Sequence, residues 1–247
     1  GVVEAVGNNV ESFKPGDEVF GGGPGHAEFA CVSEDGPLAI KPENLSFEEA
    51  AAVSYGTLTA LPFLRDSGNI QSGQKVLING ASGSIGSYAV QIAKYYGAEV
   101  TGVCSTANVE LVKSLGASKV IDYKKEDFTK SKETWDIIFD VVGKSSYSKS
   151  KRALTSNGIF MTTVMGLPIL FHMLWTSKFG SKKANITFTG LRPPEEMAKD
   201  LLVSKKLVEQ GIIKPVIDRT WPLEDIIDAT RYVEKGHKRG NVVITLV

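Results

Sequence analysis

The run Lys75-Val76-Leu77-Ile78-Asn79-Gly80-Ala81-Ser82-Gly83-Ser84-Ile85-Gly86 constrains this chain more than any other part of it. A β-branched and aliphatic stretch passes into a turn of small residues, and the turn opens into an amphipathic segment over 87–96. Strand, small-residue turn and helix in that order place several backbone N–H groups at a helix N-terminus, where an anionic pyrophosphate can sit. A side chain at Gly83 would obstruct a phosphate, and one at Gly86 would push the helix off the strand. Ala81 stands where G-x-G-x-x-G has its first glycine, so the turn A-S-G-S-I-G, with Ser82, Gly83, Ser84, Ile85 and Gly86, takes its meaning from its surroundings.

Those surroundings fit. Gly97-Ala98 ends the helix and 99–104 reads as a second buried strand, which closes a β-α-β unit of about 30 residues. An Asp or Glu at the end of that strand would accept hydrogen bonds from a free ribose 2′-hydroxyl and repel a 2′-phosphate. Here the segment is Ser105-Thr106-Ala107-Asn108, neutral and rich in donors, which favours NADP over NAD. Ser105 and Thr106 also suit a simple helix cap ahead of 109–115.

Length bounds the rest. A chain of 247 residues can bury a sizeable core, as one large domain or two small ones. Its 28 basic and 28 acidic residues cancel, so no basic field points to nucleic acid. Cys31 and Cys104 form no C-x-x-C, which argues against a disulfide framework or thiolate metal site and for the cytoplasm or another reducing compartment. The chain starts in a strand-like run, Gly1-Val2-Val3-Glu4-Ala5-Val6-Gly7, without an initiator Met, so upstream residues are expected to be missing.

Residues 1–47 read as short strands, including 2–6, 18–20 and 26–32, broken by turns, the edge of a small barrel. Ser46 and Glu49 form a capping box before a helix. From 50 to about 190 strands alternate with helices, with strands expected over 76–79, 100–104, 120–122, 137–142, 158–164 and 185–190. Such α/β alternation implies a doubly wound parallel sheet covered on both faces. The tail should hold a helix over 195–209, a strand over 214–218, a helix over 223–235 and a strand over 241–247. The apolar segment 159–175 is too short to span a bilayer and is broken by Gly166, Pro168 and His172, so no transmembrane segment is expected. It reads as a buried strand and a helix on the sheet, with surface-membrane contact aided by Lys178, Lys182 and Lys183 as the alternative.

Taken together, 1–7, Pro15-Gly16-Asp17-Glu18-Val19-Phe20, His26-Ala27-Glu28-Phe29, 50–60, the A-S-G-S-I-G turn, Leu115-Gly116-Ala117, Asp122-Tyr123 and 240–244 resemble the medium-chain dehydrogenase/reductase superfamily. The resemblance spans essentially the whole chain and is to the zinc-independent quinone oxidoreductase branch, with its zeta-crystallin-like and enone-reductase-like members. It implies a Rossmann domain over 56–194, flanked by a split GroES-like β-barrel catalytic domain at 1–55 and 195–247. It also implies a homodimer, pairing through the strand over 185–190, and roughly 60 to 80 absent upstream residues by comparison with usual domain sizes. The implied activity is NADPH-dependent hydride transfer to a small-molecule electrophile, a quinone or an α,β-unsaturated carbonyl. A non-catalytic, crystallin-like NADPH binder and a zinc-dependent alcohol dehydrogenase are the alternatives. No cysteine cluster exists for a structural zinc, and Val53-Ser54-Tyr55-Gly56 offers no ligand where a catalytic one would lie, so no metal is expected.

By the same resemblance, Thr59 faces the nicotinamide side, unless its hydroxyl merely bonds a carbonyl one turn back. Tyr123 lies beside the 2′-phosphate, or packs on a helix. Val141, Val142 and Gly143 lie against the adenine or ribose, Met161 and Thr162 approach the nicotinamide, and Gly240 and Asn241 supply C-terminal cofactor contacts. No catalytic residue is assigned.

Overall fold

The computed structural model describes residues 1–23 and 25–246. It contains β1 (Val19–Gly21), β2 (Leu38–Ile40), α1 (Phe47–Pro62), β3 (Lys75–Asn79), α2 (Ser84–Tyr95), β4 (Glu99–Cys104), α3 (Val109–Ser114) and β5 (Lys119–Asp122). There follow β6 (Trp135–Asp140), α4 (Tyr147–Ser150), β7 (Leu154–Thr162), α5 (Leu167–Lys178), β8 (Lys183–Asn185), α6 (Pro194–Glu209), β9 (Ile217–Pro222), α7 (Ile226–Glu234) and β10 (Asn241–Thr245). The chain divides into two compact units, 1–58 with 190–247, and 59–189.

The unit over 59–189 is a six-stranded sheet in the order β5-β4-β3-β6-β7-β8, parallel throughout. Its central strands read as continuous apolar runs because helices cover both faces. In β3, Val76, Leu77 and Ile78 are all fully buried, as are Ile137, Ile138 and Phe139 of β6. At about 1.5–3 kcal/mol for each large apolar side chain removed from water, this core carries the unit. From β3 the chain winds outward through β4 and β5, then returns to build β6, β7 and β8 on the other side. The order reverses between β3 and β6, and open α/β sheets bind ligands in the crevice outside the carboxyl ends of the strands at such a reversal.

Within the other unit, β1 pairs antiparallel with β2, and β9 pairs parallel with β10. These are two separate two-stranded sheets rather than a closed barrel among the described residues. The expected capping box is present: Glu49 N–H donates to Ser46 Oγ and Ser46 N–H to the Glu49 carboxylate.

Several expected strands differ. Residues 2–6 contribute only the single bridge Val2–Glu18, and 26–32 form no strand. The strand expected over 185–190 is β8, three residues long and displaced toward the N-terminus, with a short 3₁₀ turn at Thr189–Leu191. β9 starts three residues later than expected and runs on to Pro222. Val247, the end of the last expected strand, lies outside the described residues.

Candidate functional site

The turn after β3 is fastened to β4: Gly80 and Ala81 N–H both donate to the Val103 carbonyl at 3.0 Å, and Gly83 N–H to the Gly80 carbonyl. Gly80 needs its freedom, because it adopts φ +90° and a Cβ there would lie 2.5 Å from Val142 Cγ1. Helix α2 starts at Ser84, and its first i→i−4 bond is Ser87 N–H to the Gly83 carbonyl. The N–H groups of Ser84, Ile85 and Gly86 therefore precede the helical ladder and sit at the positive end of the helix dipole.

The two glycines of the turn differ in what requires them. A Cβ on Gly86 would fall 2.1 Å from the Gly80 carbonyl oxygen, so the chain's own close packing demands glycine. At Gly83 the backbone is extended (φ −85°, ψ −178°), open to any residue, and a Cβ would meet only the Gly80 oxygen at 3.4 Å. Among the described residues nothing forces glycine at 83, whereas an anion seated at the helix N-terminus would favour it.

Two polar residues close the strands at this reversal. Asn79 and Asp140 end β3 and β6 in direct register, and Asn79 Nδ2 donates to Asp140 Oδ1 at 3.0 Å. Asp140 is fully buried, and its carboxylate also accepts from Val142 N–H (3.2 Å), Gly143 N–H (3.1 Å) and Ser145 N–H (2.8 Å). Four donors replace the water this charge has lost, which is the condition for burying it. The carboxylate thereby shapes the Val141–Val142–Gly143 turn, whose Val142 side chain lies over Gly80. Neither residue stands out in the sequence. The only available signal was a polar residue closing an apolar strand at both positions.

A second tie joins the turn to the segment after β4. Asn108 Nδ2 donates to Ser82 Oγ at 3.0 Å, with both side chains buried. Ser105 and Thr106 are not side-chain caps: the 3₁₀ turn Thr106–Asn108 has no capping bond from Ser105. Thr106 Oγ1 instead donates to Asp122 Oδ2 at 2.6 Å. The donor-rich segment is therefore not free of acidic neighbours, as its sequence alone suggests. The Thr106 hydroxyl, together with Lys124 N–H and the Lys125 and Lys124 charges, holds the Asp122 carboxyl below its ordinary range. Tyr123 follows it and is 56% exposed. Burial, then the nearby Asp122 charge, pushes the Cys104 thiol up to about 11.

The remaining expected residues lie as follows. Thr59 is buried in α1 and Thr162 is buried at the end of β7, where its Oγ1 accepts from Val164 N–H. Met161 is fully buried, and its Cε lies 3.1 Å from where a Cβ on Gly68 would stand. Gly240 and Asn241 belong to the other unit. There Gly240 has φ +59°, and the Asn241 N–H and amide both donate to the Val216 carbonyl, anchoring β10. Among the described residues no group of three or more His, Cys, Asp or Glu could hold a metal ion.

Residues 115–244 match the family model described as a zinc-binding dehydrogenase. The bovine (Bos taurus) protein named NAD(P)H oxidoreductase RTN4IP1, mitochondrial, is 37% identical over 100% of this chain and 69% of its own length. The 2-methylene-furan-3-one reductase of Solanum lycopersicum is 36% identical over 99% of this chain and 61% of its own. The solved quinone oxidoreductase of Coxiella burnetii superposes with a TM-score of 0.85 at 29% identity, covering 99% of this chain and 76% of that one. The likeness runs through both the crevice strands and the flanking unit, and the chain belongs to the medium-chain dehydrogenase/reductase superfamily, with a quinone- and enone-oxidoreductase-like fold.

Proposed function

We propose that the chain is an NADPH-dependent oxidoreductase that reduces a quinone or an α,β-unsaturated carbonyl without zinc. The observation that carries the reading is Gly83: a glycine that no internal contact requires, at a helix N-terminus beside the β3/β6 crevice. The substrate class is supported by relatives named as a 2-methylene-furan-3-one reductase and a quinone oxidoreductase.

The bound cofactor supplies a hydride from its nicotinamide ring; the chain holds and orients. Ser84, Ile85 and Gly86 N–H groups face the pyrophosphate, Ser82 fixes the turn through Asn108, and Val141, Val142 and Gly143 border the ribose. Ser105, Thr106 and Tyr123 receive the 2′-phosphate, with Lys124 and Lys125 offsetting Asp122. Thr59, Met161 and Thr162 serve the nicotinamide end, Met161 as a packed support. Residues 56–194 are the dinucleotide-binding domain, and 1–55 with 195–247 the GroES-like catalytic domain. Acceleration comes from holding the nicotinamide against the electrophilic carbon, an effect of positioning.

The test is NADPH oxidation at 340 nm against a panel of quinones and alkenals, together with fluorescence titration of NADPH and NADH. Turnover of an acceptor with tighter NADPH binding supports the reading. Tighter NADH binding overturns the cofactor assignment, and binding without turnover of any acceptor overturns the enzymatic one.

A further inference from the structure

Helix α5 is apolar on both sides. Ile169 and Thr176 are buried beneath it, yet Leu167, Phe171, Leu174 and Trp175 recur at helical spacing on the opposite face and are 56–83% exposed. Phe179 continues the stripe at 56% exposure. Phe171 stacks on Trp175 at 6.2 Å between ring centroids, and Trp175 meets Phe179 at a tilt, 5.0 Å apart. A helix that is hydrophobic all round needs both faces covered, and a contiguous exposed aromatic patch marks a contact surface. At 12 residues α5 cannot cross a bilayer, and no helix among the described residues is long and apolar enough to do so.

Charge identifies the cover. Between residues 141 and 189 the sequence has seven Lys or Arg and no Asp or Glu, in a chain whose net charge is zero. Lys178 lies on the stripe's own helix. Lys151 and Lys182 line a concavity of about 630 Å³ whose other walls include Phe171, Trp175 and Phe179. Lys183 Nζ donates to the carbonyls of Thr176 and Gly180 at the end of α5, and Lys182 Nζ to those of Lys151 and Leu154 at the start of β7; among the described residues neither ammonium group has a carboxylate partner. A second copy docked symmetrically here would bring this basic face against itself. Aromatic rings with lysines around them match the headgroup region of an anionic bilayer, where the rings lie among the headgroups and the ammonium groups meet phosphate.

We infer that the α5 face is a peripheral docking site for anionic lipid membranes. The test is co-sedimentation of the full chain with phosphatidylcholine vesicles containing 30% phosphatidylserine, and with pure phosphatidylcholine. Binding only to the anionic vesicles, weakened at least 10-fold in 0.5 M salt, is the expected result. Lys178→Ala should weaken binding about 5-fold, from the contribution of one lysine near an anionic surface. Phe171→Ser with Trp175→Ser should weaken it by at least 10-fold with an unchanged circular dichroism spectrum. Brominated lipid should quench the fluorescence of the wild type, and of Trp175→Phe far less. Should the serine pair fail to fold, the exposed Lys178→Ala and the quenching comparison carry the test. Equal binding to both vesicles, no binding at low salt, or a dimer that Trp175→Ser dissociates without any vesicle binding overturns the inference.

Discussion

Replacing Gly86 and Gly83 separately by alanine distinguishes a glycine kept for the fold from one kept for a ligand. At Gly86 the new Cβ lies 2.1 Å from the Gly80 oxygen, 2.8 Å from its carbonyl carbon and 2.9 Å from Ala81 Cα, all backbone atoms. Helix α2 must retreat by roughly 1 Å to restore ordinary contact. Overpacking of this kind costs about 1–3 kcal/mol, and the helical preference of alanine returns about 0.5–1. The net loss of about 1–2 kcal/mol corresponds to a Tm lower by about 2–8 °C in a chain of this size. At Gly83 the fold has little to lose, because the Cβ has room and the dihedrals are ordinary. Loss of the N-cap glycine and reduced freedom of the unfolded chain offset each other to within about 1 kcal/mol. On the proposed placement the methyl group would intrude on the pyrophosphate, and losing one or two charge-assisted hydrogen bonds would weaken NADPH binding about 10- to 100-fold. Thermal unfolding without ligand and fluorescence titration with NADPH read the two effects independently. Wild-type affinity in a stable Gly83→Ala would refute the placement of the pyrophosphate, and a wild-type Tm for Gly86→Ala would refute the packing argument.

Three further outcomes are expected. Asp140→Ala strands four donors and should lower stability by about 3 kcal/mol or more in urea unfolding; Asp140→Asn keeps an acceptor at the three-donor oxygen and should cost about half as much. Asp122 has a depressed pKa, so the stability it contributes is complete above the ordinary carboxylate range and is lost only as pH falls through its lower folded value. Its charge is thus constant between pH 5.5 and 8, and Asp122→Asn should tighten NADPH about 2- to 5-fold, leave NADH unchanged, and do so equally at both pH values in paired titrations. Iodoacetamide at pH 8 should modify exposed Cys31 alone, since a thiol pushed up to about 11 is only about 0.1% thiolate there; mass spectrometry of a rapidly doubly alkylated native protein would contradict this.

The parts of the fold legible in the sequence are those governed by local signals. The β3–turn–α2 unit announced itself through a hydrophobic run, small residues and helical spacing within one short stretch, and the Ser46–Glu49 box did so within four residues. The strand expected over 185–190 was misplaced because an edge strand of three residues carries almost no alternation, and its position is set by pairing with Ile159–Met161. Strands expected over 2–6 and 26–32 had the right composition but find no ladder partner beyond Val2–Glu18. The polar framework of the crevice was invisible for a related reason. Asn79 and Asp140 are 61 residues apart, and Thr106 and Asp122 are 16 apart, so their meeting is a product of strand order.

The Asp140 clamp has a consequence for motion. Turns that border binding sites ordinarily open on their own, well below the cost of unfolding the domain. Here Val142, Gly143 and Ser145 give their amide hydrogens to a carboxylate rooted in β6, one of the two central strands of the sheet, so releasing any of them uncovers a buried charge. Although Val142 is exposed, these amides should exchange with solvent at the pace of the sheet rather than of a loop. The rim of the crevice is in this sense an extension of the core, held ready before anything arrives to fill it.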